Sequence, residues 1–155
     1  MIEQQDHTSE RIIVGVDGSP SSRHALRWAV RQAELTGSSV EAITAWQSPA
    51  MVGIGTPFAE ADSRGGDDSG IRVAVQNMLR AAVAEASSSS PGAAVRAEVG
   101  EGSPAQLLLD AAKGASMIVV GSRGHGGLSG TLLGSVGQTL THHAPCPVLI
   151  IRDAE

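Results

Sequence analysis

The feature that most constrains this chain is the regular alternation of short apolar runs with segments of helical period. Five such runs occur, at 11–16, 40–46, 95–99, 117–120 and 148–151. They are apolar throughout instead of alternating polar and apolar residues, which is typical of strands covered on both faces. The sequence therefore predicts an α/β fold built on a five-stranded parallel open sheet, with helices on both faces.

The segments between the runs carry helix signals. Ser19 and Pro20 are suited to begin the first helix, which continues to residue 36 and ends at Gly37. Further helices are predicted over 71–86, 103–111 and 135–143. Residues 1–10 are predicted to be a flexible tail and residues 11–152 one domain. The stretch 47–70 is rich in Gly, Pro and Ser with four acidic residues, and we expect a long exposed loop, partly disordered, whose role the sequence does not assign.

Composition narrows the functional class. With 155 residues, the chain has the length of one ordinary domain. A net charge of −5 argues against nucleic acid as a partner, and the lone Cys146 cannot form an intrachain disulfide. No apolar run approaches the roughly 20 residues that span a bilayer, and the first ten residues are polar. We therefore expect a soluble cytoplasmic protein with no membrane association.

A glycine-rich segment is the strongest local motif. Residues 121–135 leave a predicted strand and enter a predicted helix, and glycines let a backbone approach a ligand closely. Free amides at a helix start attract phosphate, and no Asp or Glu occurs between Ala111 and Arg152, while Arg123 lies inside the segment. The motif favours a phosphate site, with an ordinary surface loop as the alternative.

Other familiar signatures are absent. The only lysine is Lys113, so the chain has no phosphate-binding loop of the GxxxxGK type, and the first strand lacks GxGxxG. His142, His143 and Cys146 do not form a convincing metal site, because adjacent histidines on a helix diverge and a fourth ligand is missing. A nucleotide site here must rest on another arrangement.

Two motifs together resemble a known family. The run from Val14 through Asp17 to Ser19, and the spacing Gly121-x2-Gly124-x9-Gly134-Ser135, are similar to single-domain universal stress proteins of the ATP-binding subgroup. The resemblance extends over residues 11–152. It implies the strand order 3-2-1-4-5, which brings the ends of the first and fourth strands together where the order reverses. Open α/β sheets bind their ligands at such a point.

The resemblance also implies a binding site. Asp17 would face the ribose or a magnesium ion carried by ATP, Gly15 would lie under the nucleotide, and the Ala45 backbone would meet the adenine. Asp17 before glycine is also a common turn former, and that interpretation stays open. The remaining implied residues are Gly121 and Gly124 beside the ribose and phosphates, Ser122, Arg123 and His125 at positions that the motif leaves free, and Gly134, Ser135 and Val136 holding phosphates through amides and the Ser135 hydroxyl.

The function implied is that of an ATP-binding regulatory protein of the stress response, with ATP and Mg²⁺ as ligands and no enzymatic activity. The alternatives are a slow ATP-hydrolysing enzyme, a cyclic AMP sensor and a dimeric scaffold without nucleotide. We also expect a homodimer through the last strand, 147–151, because that segment is apolar and carries no charge before Arg152. The alternative is a monomer in which the 143–147 turn or the C-terminal tail shields the edge.

Overall fold

The computed structural model describes residues 10–48, 68–123 and 133–153. Most of the predicted 1–10 tail and of the predicted loop at 47–70 lies outside these ranges. Strands and helices alternate along the described chain. In order, they are β1 (Arg11–Gly15), α1 (Pro20–Thr36), β2 (Ser39–Trp46), α2 (Asp68–Ser88), β3 (Ala94–Glu101), α3 (Pro104–Ala111), β4 (Met117–Gly121), α4 (Ser135–His143) and β5 (Val148–Ile151).

The strands form one parallel sheet in the order β3-β2-β1-β4-β5. The fold class and the strand order expected from the sequence are therefore confirmed. β1 pairs with β2 on one side, with Gly15 opposite Ile43, and with β4 on the other, with Val14 opposite Val119. Because chain order reverses between β1 and β4, their carboxyl ends frame a crevice.

Helices cover both faces of the sheet. Along β1, Ile12 and Val14 belong to the core cluster that includes Leu26 of α1, whereas Ile13 belongs to the opposite cluster with Leu140 of α4. The buried members of both clusters are aliphatic. Burying one leucine side chain contributes about 1.5–3 kcal/mol, so aliphatic packing holds both helix layers against the sheet. In the described part of the chain, none of the helices has both the length and the apolar character needed to cross a bilayer.

The beginning of α1 follows the predicted pattern. Ser19 caps the helix, its hydroxyl accepting a hydrogen bond from the Ser22 amide at 3.2 Å, and Pro20 takes the first helical position. Gly37 ends the helix with φ of 76°, a conformation that glycine adopts at little cost. The cap at Ser19 and Pro20 starts α1 directly after β1, so the β1–α1 turn lies at the crevice.

Two sequence expectations differ from the structure. The predicted loop extends to Gly70, but α2 already begins at Asp68. Apolar periodicity starts only with Ile71, and the first turn of a helix is commonly polar, so periodicity misses it. The strand predicted at 95–99 spans Ala94–Glu101 and is not apolar throughout, since Arg96 and Glu98 are exposed on this edge of the sheet.

Candidate functional site

A cavity of about 700 Å³ opens at the carboxyl ends of β1, β2 and β4. This volume lies within the range of small-molecule and cofactor sites. The polar side of its wall comes from the β1–α1 turn and the start of α4, and its apolar side from α2 and α3. Its described lining includes Gly15, Asp17, Ala45, Gly121, Arg123, Gly134, Ser135 and Val136. Eight of the eleven predicted site residues thus line one cavity.

Asp17 both shapes the β1–α1 turn and lines the cavity. Its Oδ1 accepts a hydrogen bond from the Ser19 amide at 2.9 Å, and its own amide donates to Ser22 Oγ at 3.3 Å. Gly18 follows with φ of 83°, which few other residues adopt. The turn-forming interpretation is therefore correct, and it also sets the carboxylate at the wall of the cavity.

Ala45 lies beyond the last residue of β2 that pairs with β1. The Ser39 amide donates to the Glu10 carbonyl, and the Ile43 carbonyl accepts from the Val16 amide, so the odd-numbered residues of β2 direct their backbone groups toward β1. β1 has ended by this point, and the Val16 carbonyl accepts from the Thr44 hydroxyl at 2.8 Å. Ala45 therefore presents one N–H donor and one carbonyl acceptor toward the cavity.

Gly121 is required by packing inside the protein. A Cβ placed on Gly121 would lie 2.5 Å from Ser21 Oγ and 2.7 Å from the Ser21 backbone carbon. Ser21 is buried in α1, so this helix approaches β4 as closely as a glycine allows. Gly15 is also tightly placed, with a built Cβ 3.0 Å from Leu108 and 3.2 Å from Val120.

Backbone hydrogen bonds hold both ends of the glycine-rich segment. The Ser122 amide donates to the Ile151 carbonyl at 2.8 Å, and the Gly134 amide donates to the Ser122 carbonyl at 2.9 Å. The Gly134 amide, predicted to hold phosphate, is thus already engaged. Ser122 is buried and is not part of the cavity lining. Gly124 and His125 lie outside the described residues.

Helix α4 turns its N-terminus to the cavity. Gly134 is its cap residue and offers no side chain to the first amides. In the ranges that the structure covers, no residue accepts a hydrogen bond from the amides of Ser135, Val136 or Gly137. Unsatisfied amides and the positive end of the helix dipole favour an anion there. The prediction for Ser135 and Val136 has this geometric support.

Sequence reasoning missed the apolar wall of the cavity. Val75 and Met78 of α2 form one part of it, and Pro104 and Leu108 of α3 form another. A helical period identifies an apolar face of α2, and nothing in the pattern distinguishes core from cavity wall. For α3, the helix-start signal at Ser103 and Pro104 could have placed its first turn at the carboxyl edge of the sheet.

The histidines of α4 do not assemble a metal site. The rings of His142 and His143 are exposed, with centroids 6.4 Å apart and planes inclined by 56°. Burial raises the pKa of the Cys146 thiol, which disfavours the thiolate that metals require. Within the described ranges, no group of three or more His, Cys, Asp or Glu side chains is arranged to hold a metal ion.

Comparison with known sequences identifies relatives. A family model described as the universal stress protein family matches residues 8–152. Universal stress protein Rv2623 of Mycobacterium tuberculosis is 35% identical over 149 residues, covering 96% of this chain and 50% of that protein. A universal stress protein of Mycolicibacterium smegmatis is 32% identical over 155 residues, with the same coverage. The chain spans about half the length of the curated relatives it matches.

Solved structures share the fold. A universal stress protein in complex with cAMP aligns with a TM-score of 0.68 at 24% identity, covering 93% of this chain and 97% of its own. A universal stress protein of Archaeoglobus fulgidus in complex with dAMP gives 0.67 at 23% identity, covering 92% and 97%. Both alignments extend over nearly the whole of each chain, which confirms the architecture.

Proposed function

Because the chain belongs to the universal stress protein family, we propose that it binds ATP in this cavity and acts as a cytoplasmic regulatory protein of the stress response. The observation that carries the proposal is the meeting, in one cavity, of the Ala45 backbone and the first amides of α4, neither of which has a hydrogen-bond partner among the described residues. The first suits an adenine ring and the second suits phosphate. Relatives solved with cAMP and dAMP support an adenine nucleotide as the ligand class.

The Ala45 backbone accounts for a preference for adenine. Its N–H can donate to N1 of adenine, and its carbonyl can accept from the 6-amino group. Guanine presents the reverse pattern at this edge, an acceptor at position 6 and a donor at N1, and so leaves both groups unsatisfied. Val75, Met78 and Leu108 supply the apolar surface against which a ring can pack.

Asp17 fits a magnesium ion that arrives with ATP. Mg²⁺ keeps several waters and is commonly held by one or two carboxylates together with substrate phosphates. Among the described residues that line the cavity, Asp17 carries the only carboxylate. When bound, the ion would neutralise phosphate charge, and Asp17 would position it at the crevice between β1 and β4.

ATP is expected to stabilise the folded protein, because only the folded chain assembles the cavity. At ATP concentrations about 100 times Kd, linkage adds roughly 2.7 kcal/mol, which raises Tm by about 5–10 °C for a domain of this size. Thermal unfolding with ATP and Mg²⁺ measures the shift, and GTP at equal concentration is expected to give a smaller one. No shift at millimolar ATP contradicts the proposal.

The Ser135→Ala variant tests whether the rise in Tm caused by ATP depends on the start of α4. Loss of a hydroxyl that contacts a charged phosphate weakens binding by about 1.5–3 kcal/mol, so Ser135→Ala is expected to lose most of the ATP shift. Thr141→Ala is the matched control, since this exposed hydroxyl is on the same helix, bonds only to the Gln138 carbonyl and is not in the cavity lining. If ATP raises the Tm of both variants equally, the phosphates do not contact the Ser135 hydroxyl.

We propose a binding protein and not an enzyme. Phosphoryl transfer requires a positioned nucleophile and several cationic groups, and the described cavity lining offers one arginine, no lysine and one carboxylate. Turnover is expected far below the roughly 1–10³ s⁻¹ that is typical of enzymes. A phosphate-release assay with ATP and Mg²⁺ measures it. Sustained hydrolysis within that range, lost in Asp17→Ala, would support an ATPase instead.

We further propose a homodimer formed through β5. The two sheet edges differ in charge: β3 exposes Arg96, Glu98 and Glu101, whereas β5 carries no charged residue. Charged side chains protect an edge strand from pairing, and β5 lacks that protection. The Pro147 carbonyl accepts from the Ile118 amide of β4, and the Ile151 carbonyl accepts from the Ser122 amide just after β4. The alternate residues of β5 therefore direct their backbone groups toward the open edge.

A further inference from the structure

Arg123 supplies the only positive side chain among the described residues that line the cavity. Its backbone lies beside the start of α1, since its amide donates a long hydrogen bond to Ser21 Oγ at 3.5 Å and its carbonyl accepts one from Ser19 Oγ at 3.4 Å. Its side chain is exposed, and no hydrogen bond or ion pair of the guanidinium is found in the part of the chain that the structure describes. These contacts place the Arg123 backbone at the cavity, and its guanidinium is available to a ligand.

The start of α4 lies next to Arg123. The hydrogen bond from the Gly134 amide to the Ser122 carbonyl joins the residue before Ser135 to the residue before Arg123. Two sources of positive potential therefore stand side by side: the free amides of α4 and the guanidinium. The amides are limited to the first turn of one helix, which suits a single phosphate group. Arginine binds a further phosphate through a planar pair of N–H donors.

We propose that Arg123 is a specificity-determining residue that makes the site prefer nucleoside di- and triphosphates over monophosphates and cyclic nucleotides. The inference rests on the proposed function. A monophosphate placed at the α4 amides leaves the guanidinium without a partner, whereas a second or third phosphate gives it one. Without Mg²⁺, Asp17, the other charged side chain in the described lining, repels added phosphates, and Arg123 is then the one side chain of that lining that offsets their charge.

Isothermal titration of the folded protein with AMP, cyclic AMP, ADP and ATP, with and without Mg²⁺, tests the inference. Arg123→Gln is expected to weaken ATP binding about 10- to 100-fold, and AMP and cyclic AMP binding by less than about threefold. Arg123→Lys keeps the charge but loses the paired donors, so its loss for ATP is expected to be intermediate. Arg31→Gln, an exposed arginine of α1 outside the cavity, controls for the change in net charge.

The possible outcomes separate this inference from the function on which it rests. Selective loss of ATP and ADP binding in Arg123→Gln supports the inference. Equal loss for AMP and ATP, or unchanged ATP affinity, overturns it and leaves nucleotide binding intact. If Arg31→Gln loses as much as Arg123→Gln, the effect is one of general charge, and the inference is again overturned. If the unaltered protein binds none of the four nucleotides, the proposed function itself fails.

Discussion

Gly121→Val is expected to destabilise the protein by about 3 kcal/mol and to lower Tm by about 6–12 °C, whether or not nucleotide is present. The first atom of the new side chain would fall 2.5–2.7 Å from Ser21, including a backbone atom that cannot rotate away. Relief therefore requires α1 to move off β4, which opens the core around Leu26 and Val119. Thermal and guanidinium unfolding without ligand measure the loss.

Gly70→Ala is the matched control for this experiment. Gly70 is in the first turn of α2, and a Cβ placed there meets nothing within 4 Å. Alanine restricts the unfolded chain and favours helix, so the change is expected to be neutral or to stabilise by up to about 1 kcal/mol. If the free energies of unfolding of Gly121→Val and Gly70→Ala differ by less than about 0.5 kcal/mol, the close approach of α1 to β4 is wrong.

Gly121 shows what a sequence motif alone explains and what it leaves out. The sequence places Gly121 at the end of the fourth strand, and in the structure it ends β4 and lines the cavity. The motif assigns the glycine to ligand approach, and the structure adds a second requirement, because a Cβ there would fall against Ser21 of α1. A motif gives the residue type at a position. It does not show which neighbouring residue requires that type, because the neighbour, Ser21, lies 100 residues away in the chain.

The other features of the site also divide into those that the sequence predicts and those that it does not. Strand order and the position of Asp17 were predictable, because local turn signals and the resemblance fix them. The engagement of the Gly134 amide was not, since it depends on a bond to Ser122 across the glycine-rich segment. The apolar wall formed by α2 and α3 was also missed. A helical period identifies a buried face of a helix, but it does not tell whether protein or ligand covers that face.

Loss of assembly is the second large effect expected. The unaltered protein should sediment as a dimer at micromolar concentration, and Leu149→Glu as a monomer. Leu149 lies in β5, and a carboxylate there brings two like charges together when two such edges pair about a two-fold axis. Leu149 also packs against the core beside α1, so the same substitution costs some stability of the single chain.

Val95→Glu separates these two causes. Val95 is a partly buried residue of β3 that packs against the same core cluster, but on the opposite edge of the sheet. It should lose comparable stability and still sediment as a dimer, because β3 already exposes charges and is not expected to pair. A dimer that persists in Leu149→Glu moves the interface away from β5. A monomer in the unaltered protein means that the β5 edge is left unpaired or is shielded within one chain.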